Sequence, residues 1–196
     1  EQSKVLIIGA ETLSSRVNWE DRNTCILFGD GAGAAVLGYH ADSGRRIIGT
    51  NHHSDGGLWN LLYMHNAPSL NPDLLVADNP GAHIIMEGRE VFKHAVKAME
   101  DAIFGLFEKT GLRVEDVDVM IPHQANFRIL TKLLERLEID TERVVLNVMN
   151  YGNTSAASIP IALDEANRSG RIKTGDTVLF CSFGGGLTWG ATLLNW

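Results

Sequence analysis

The chain has 196 residues, 44% of them apolar and 21% charged, the balance of an ordinary globular protein with a sizeable core. Its formal net charge of −7 argues against general nucleic-acid binding. No apolar stretch has bilayer-spanning length and no leader pattern opens the chain, so no membrane association is expected; the two cysteines, Cys25 and Cys181, lie in apolar runs that fit a reducing cytoplasm better than a disulfide framework.

Lys4–Gly9 is a continuous apolar run, the pattern of a strand covered on both faces. A chain that starts at Glu1, almost inside a strand, reads as cut from something longer. Cys25–Tyr39 then reads as strand, glycine-rich turn, strand. Its segment Gly29-Asp30-Gly31-Ala32-Gly33-Ala34 can be laid on the dinucleotide fingerprint, but that motif needs a following helix, and Ala35–Tyr39 is short and β-like. A tight hairpin is therefore expected. Residues 41–84 shift to Gly, Asn, Pro and His, a long connection with short strands around Arg46–Gly49 and Asn60–Met64.

The remainder alternates. Ile84–Lys109 carries Val91, Phe92, Ala95, Val96, Met99, Ile103 and Leu106 at helical spacing. Val117–Ile121 reads as a strand, Gln124–Leu137 as a helix, Val144–Val148 as a strand, and Thr154–Arg168 as a helix stopped by Gly170. Thr177–Cys181 and Thr188–Leu194 are the last strands, joined by Phe183-Gly184-Gly185-Gly186, so they run antiparallel. The expected fold class is α/β, with a mixed five-stranded sheet made of these four strands and one near Arg46–Gly49, covered by helices 85–108 and 154–168. Cys25–Tyr39 and Leu179–Trp196 share one plan, which suggests an internal repeat. The chain divides into residues 1–40, a connecting region 41–84, and a main unit 85–196.

Two loops carry the candidate chemistry. Ile-Pro-His-Gln-Ala-Asn at 121–126 and Tyr-Gly-Asn-Thr-Ser-Ala-Ala-Ser at 151–158 each follow an apolar, strand-like run and precede a helix, so both are expected at the sheet edge where ligands bind. A histidine and an amide aimed at one point can donate two hydrogen bonds to a carbonyl oxygen that becomes an oxyanion, which makes His123 and Asn153 candidates. Asn153-Thr154-Ser155 can also cap the helix that follows it. Ser155 and Ser158 lie in no nucleophile elbow, and neither cysteine is placed for activation. The histidines have no metal-like spacing, and no metal site is expected. Arg89, Lys93 and Lys97, and likewise Arg128, Lys132 and Arg136, are spaced four apart, giving two basic stripes that Glu90, Glu100 and Glu135 could balance.

Four segments in order, Phe28–Val36, Pro122–Asn126, Gly152–Ser158 and Phe183–Gly190, closely resemble β-ketoacyl-acyl carrier protein synthase III, the initiating condensing enzyme of bacterial type II fatty acid synthesis. The resemblance runs from Lys4 to the C-terminus. It implies the thiolase-like fold, with 85–196 as its C-terminal half and residues 1–40 as the last strands of the N-terminal half. It implies that His123 and Asn153 are two members of a Cys-His-Asn triad and that Gly185 supplies an oxyanion-hole N–H. It further implies that Arg22 stacks on the coenzyme A adenine, that Gly88, Phe92 and Asn126 line the pantetheine channel, and that Lys93, Arg128 and Lys132 meet an acyl carrier protein. The implied substrates are coenzyme A thioesters, with no cofactor, and the implied assembly is a homodimer in the cytoplasm. Neither cysteine falls at the family's nucleophile position, so the chain reads as a C-terminal portion with its N-terminal half missing and inactive alone. Two alternatives stand beside this: a non-catalytic carrier-protein or coenzyme A-binding module, and a related synthase of a polyketide or quinolone pathway.

Overall fold

The structure, a computed structural model, describes residues 4–39, 44–64 and 83–196. Its main sheet has four strands: β3 (Arg46–Ser54), β8 (Thr188–Asn195), β7 (Thr177–Gly184) and β6 (Val119–Pro122), in that order. β7 and β8 are antiparallel, β8 and β3 are antiparallel, and β6 runs parallel to β7.

The strand expected near Arg46–Gly49 is present as β3, whereas the one expected at Val144–Val148 is reduced to a single parallel bridge between Met120 and Val144. The side chain of Gln124 is the reason. Its Oε1 accepts the backbone N–H groups of Asn147 and Val148, donors that a ladder would have used. The chain turns there into a short helix, α4 (Val148–Tyr151), instead of continuing as a strand.

Two helical layers sandwich the sheet. On one face lies α2 (Gly88–Thr110), preceded by the small strand pair β4 (Leu62–Met64) and β5 (Ile84–Met86) and packed with α3 (Phe127–Leu137). Met99, Ile103, Leu106, Leu130 and Leu133 are fully buried, each worth roughly 1.5–3 kcal/mol of apolar burial. On the other face, α5 (Ser158–Arg168) packs Ala162 and Ala166 against Val119, Ile121 and Val178. β6 shows why both faces need covering: Met120 joins the α2–α3 core while Val119 and Ile121 join the α5 core, the alternation of a strand buried on both sides. α2 ends at Gly111, whose left-handed φ of 75° closes the last turn onto the Phe107 carbonyl. α3 begins at Phe127, three residues later than the periodicity suggests, because Asn126 caps it through the Arg128 N–H.

Residues 4–39 differ most from expectation. Cys25 lies at the end of a short helix, α1 (Arg22–Cys25), and the glycine-rich segment is one continuous strand, β2 (Asp30–Gly38), rather than a hairpin turn. β2 pairs antiparallel with β1 (Lys4–Thr12), from Lys4 opposite Gly38 to Thr12 opposite Asp30. The glycines permit close packing instead of a turn. A Cβ on Gly9 would lie 2.3 Å from the Ala156 carbonyl oxygen, and one on Gly33 would lie 2.8 Å from Pro160. Cys25–Tyr39 therefore does not share the strand–turn–strand plan of Leu179–Trp196. Val5, Leu6, Ile7 and Ile8 are exposed, contrary to a strand covered on both faces, since α5 and the turn before it touch only part of this two-stranded ribbon. Asn60–Met64 is likewise divided, between a 3₁₀ turn at Gly56–Leu61 and β4. Among the described residues no helix is long and apolar enough to cross a membrane.

Candidate active site

A cavity of about 1490 Å³ opens where β7, β8 and the loop that follows β6 meet the first turns of α2 and α3. His123 and Asn153 both line it, and so do Gly185, Gly88, Phe92, Asn126, Lys93 and Arg128. Arg22 and Lys132 do not. Arg22 is exposed on α1 between Asp21 and Asn23, which do line the cavity, and Lys132 lies one turn beyond Arg128 on α3.

His123 follows the last residue of β6, and its backbone N–H donates to the Cys181 carbonyl at 2.7 Å, extending the β6–β7 pairing into the loop. The ring is buried, and its Nδ1 lies 2.6 Å from Ser158 Oγ at the start of α5. Burial pushes its pKa from 6.5 down to about 4, so the imidazole is neutral near pH 7.

Asn153 does not follow a strand. It comes after α4, and a different part of the chain places it. Its N–H donates to the Leu27 carbonyl at 2.8 Å, and its carbonyl accepts the Gly29 N–H at 2.9 Å, a parallel bridge with Phe28. Gly29 has to be a glycine for this approach, since an added Cβ would sit 2.1 Å from the Tyr151 carbonyl oxygen. Asn153 Oδ1 accepts the Ser155 N–H at 2.9 Å, a local turn just ahead of the 3₁₀ turn Ser155–Ala157; the N-cap positions of that turn and of α5, Thr154 and Ala157, make no side-chain cap bond. With Oδ1 engaged, Nδ2 is the group left to donate into the cavity. Ser155 adopts a left-handed φ of 47° to make this turn.

The charge pattern is less open than the two basic stripes suggest. Lys93 pairs with Glu90, Lys97 with Asp101, Lys132 with Glu135, and Arg136 with Glu100, all at 2.6–2.7 Å. Arg128 has no carboxylate partner among the described residues; its guanidinium lies 5.9 Å from the centre of the Phe92 ring, at the cavity wall. The cysteines are not placed for catalysis. Cys181 points into the core, 4.0 Å from Met99 Sδ, with burial pushing its thiol up to about 12, and Cys25 does not line the cavity. Among the described residues there is no cluster of three metal-binding side chains.

Two supporting residues escape a reading of the sequence. Gln124 is fully bonded inside the protein, and Ser158, weighed only as a nucleophile, is the partner of His123. Gln124 adjoins His123 in sequence, but nothing in the pattern separates a structural amide from a surface one. Ser158 lies 35 residues from His123, and only folding brings them together.

Two family models match the chain: 3-Oxoacyl-[acyl-carrier-protein (ACP)] synthase III C terminal over residues 107–196, and 3-Oxoacyl-[acyl-carrier-protein (ACP)] synthase III over residues 1–56. The chain is 55% identical, over 193 residues, to the beta-ketoacyl-[acyl-carrier-protein] synthase III of Desulfotalea psychrophila, covering 98% of this chain and 59% of that protein. Among solved structures it is similar to 3-oxoacyl-[acyl-carrier-protein] synthase III of Aquifex aeolicus, with a TM-score of 0.87 and 49% identity, covering 98% of this chain and 58% of that one. The priming β-ketosynthase of the R1128 polyketide pathway aligns at a TM-score of 0.83 and 34% identity, over 98% of this chain and 57% of that one. The chain thus spans about three-fifths of the length of the curated relatives it matches. The missing N-terminal half and the inactivity expected of the chain alone draw no support from these matches.

Proposed function

From the premise that the chain belongs to the β-ketoacyl-[acyl-carrier-protein] synthase III family, we propose that it serves an acyltransferase that condenses an acyl-CoA primer with malonyl-acyl carrier protein. The product is read as a fatty acid starter rather than a polyketide one, because the relatives near half identity are acyl-carrier-protein synthases III by name, whereas the polyketide priming synthase is 34% identical.

The carrying observation is that a buried neutral imidazole and a primary amide with its oxygen already engaged line one cavity. Decarboxylation of a malonyl thioester breaks the bond between the α-carbon and the carboxylate. CO₂ leaves, and the bond's electron pair becomes an enolate whose charge falls on the thioester oxygen. No base is required. The need is for donors that strengthen as that charge grows, and His123 and Asn153 are two such donors already in place. The enolate carbon then attacks the primer's acyl carbonyl, and collapse of the tetrahedral oxyanion expels the primer's sulfur as thiolate. Gly185, on the same cavity wall, is assigned the backbone donor for that second oxyanion.

Phe92, Gly88 and Asn126, which line the cavity that holds His123, are assigned to the pantetheine arm, and Arg22, on α1 between two lining residues, is assigned to the adenine. Arg128, with Lys93 and Lys132 beside it, is assigned to the acidic carrier protein, and a homodimer is part of the same reading. The test is a pair of substitutions in the full-length protein. His123→Ala and Asn153→Ala should each slow malonyl decarboxylation by about 10²–10³-fold, the usual effect of removing one oxyanion donor. Acylation of the family's triad cysteine by acyl-CoA, which forms no enolate, should fall less. Decarboxylation at near the wild-type rate in both variants would remove the assignment.

A further inference from the structure

We propose that Ser158 is a positioning residue whose hydroxyl donates to Nδ1 of His123 and so holds the imidazole in the tautomer that carries its proton on Nε2. This deepens, and rests on, the reading of His123 as an oxyanion donor.

The argument is a hydrogen count. Ser158 is buried at 2% exposure, and its Oγ has two partners among the described residues: Nδ1 of His123 at 2.6 Å and the backbone N–H of Gln124 at 3.3 Å. The Gln124 N–H can only donate, so Oγ accepts there. The hydroxyl proton then needs an acceptor, and the Nδ1 lone pair is the one within reach. The opposite arrangement, with the proton on Nδ1, would give Oγ two donors and leave its own proton unpaired where water is excluded. A neutral imidazole has one N–H, so the proton resides on Nε2. Nε2 has no partner among the described residues, and His123 lines the cavity, so that proton is available to a ligand there.

The placement has a second consequence. Asn153, Ser155 and Ser158 belong to one run, in which the turn closed by the Ser155 N–H on Asn153 Oδ1 leads directly into α5. The same segment therefore carries one donor and orients the other.

The test uses the full-length protein and two independent readouts. Long-range ¹H–¹⁵N NMR at pH 7 should show His123 protonated on Nε2. In Ser158→Ala the ring should shift to a mixture of tautomers, and Ser158→Thr, which keeps the hydroxyl, should restore the single one. Decarboxylation of malonyl-CoA should fall by about 10–100-fold in kcat for Ser158→Ala, as for loss of other groups that orient a reacting side chain. KM should change little, and Ser158→Thr should recover most of the rate. Protonation on Nδ1 in the wild type would overturn the proposal even if no variant folds. Retention of both the Nε2–H tautomer and the rate in Ser158→Ala would also overturn it. The rate of His123→Ala tests the donor reading separately, because the tautomer assignment does not depend on it.

Discussion

The backbone N–H of Asn147 donates to Gln124 Oε1 at 2.9 Å, so a side chain adjacent to His123 holds the loop that leads to Asn153. The same oxygen accepts the Val148 N–H at 3.0 Å, while Gln124 Nε2 donates to the Pro122 and Val145 carbonyls at 2.8 and 3.1 Å. Every hydrogen-bonding site of the amide is used.

Gln124→Ala removes all four bonds and leaves buried N–H and C=O groups without partners. At about 1–3 kcal/mol per stranded group, with incomplete additivity, stability should fall by at least about 2 kcal/mol. Denaturant titration measures this directly. Gln124→Glu keeps the acceptor bonds and loses the donors, so it should be destabilised as well. An unchanged unfolding midpoint in both variants would show that the bracket is dispensable.

Gly29 and Gly38 lie at opposite ends of the same stretch but differ in what surrounds them. A methyl on Gly29 would meet the Tyr151 carbonyl at 2.1 Å, whereas one on Gly38 would find nothing nearer than 3.8 Å. Gly29→Ala should therefore push the Asn153 loop away, costing roughly 1–3 kcal/mol of stability as overpacking does and slowing decarboxylation. Gly38→Ala should behave as wild type in both assays. Equal behaviour of the two would mean that the Leu27–Gly29 contact does not position Asn153.

Protonation of His123 sets a pH dependence of stability. Its pKa falls from 6.5 in the unfolded chain to about 4 in the fold. Above pH 6.5 the group is neutral in both states and has no effect. As pH drops through the window from 6.5 to about 4, the unfolded chain takes up a proton that the fold refuses, and stability is lost progressively, by about 3 kcal/mol in all. Unfolding free energies at pH 7 and pH 4.5 should diverge less in His123→Asn than in the wild type. The decarboxylation rate should also show no loss near pH 6 from this residue.

Arg128 and Lys132 separate a docking contact from a solvated helix. Lys132 is paired with Glu135, while Arg128 faces the cavity wall over Phe92 with no carboxylate partner among the described residues. Arg128→Glu should raise KM for malonyl-carrier protein strongly and Lys132→Glu weakly, with both effects shrinking as salt rises. Turnover of malonyl-CoA, which has no protein to dock, should change much less. Equal losses with both substrates would place Arg128 in the channel instead.

Local pattern carried a great deal. Apolar spacing placed α2, α3 and α5, and the alternation and turn chemistry placed β6, β7 and β8, because each of these elements buries a face whose period is written along the chain. His123 and Asn153 stood out because polar residues at the ends of apolar runs have few other reasons to be there. What the sequence could not determine were relationships between distant segments. The glycine-rich run reads as a turn because glycine permits turns, yet it forms a strand paired along its length with β1, in which Gly33 and, opposite it, Gly9 let Pro160 and Ala156 pack closely. The stretch after Val144 has strand character, yet the Gln124 amide takes its donors and ends the ladder. Asn153 is held by Leu27 and Gly29, and His123 is oriented by Ser158, contacts across roughly 125 and 35 residues of chain. Close approach and hydrogen-bond satisfaction are properties of neighbours in space, and only the tertiary structure decides who those neighbours are.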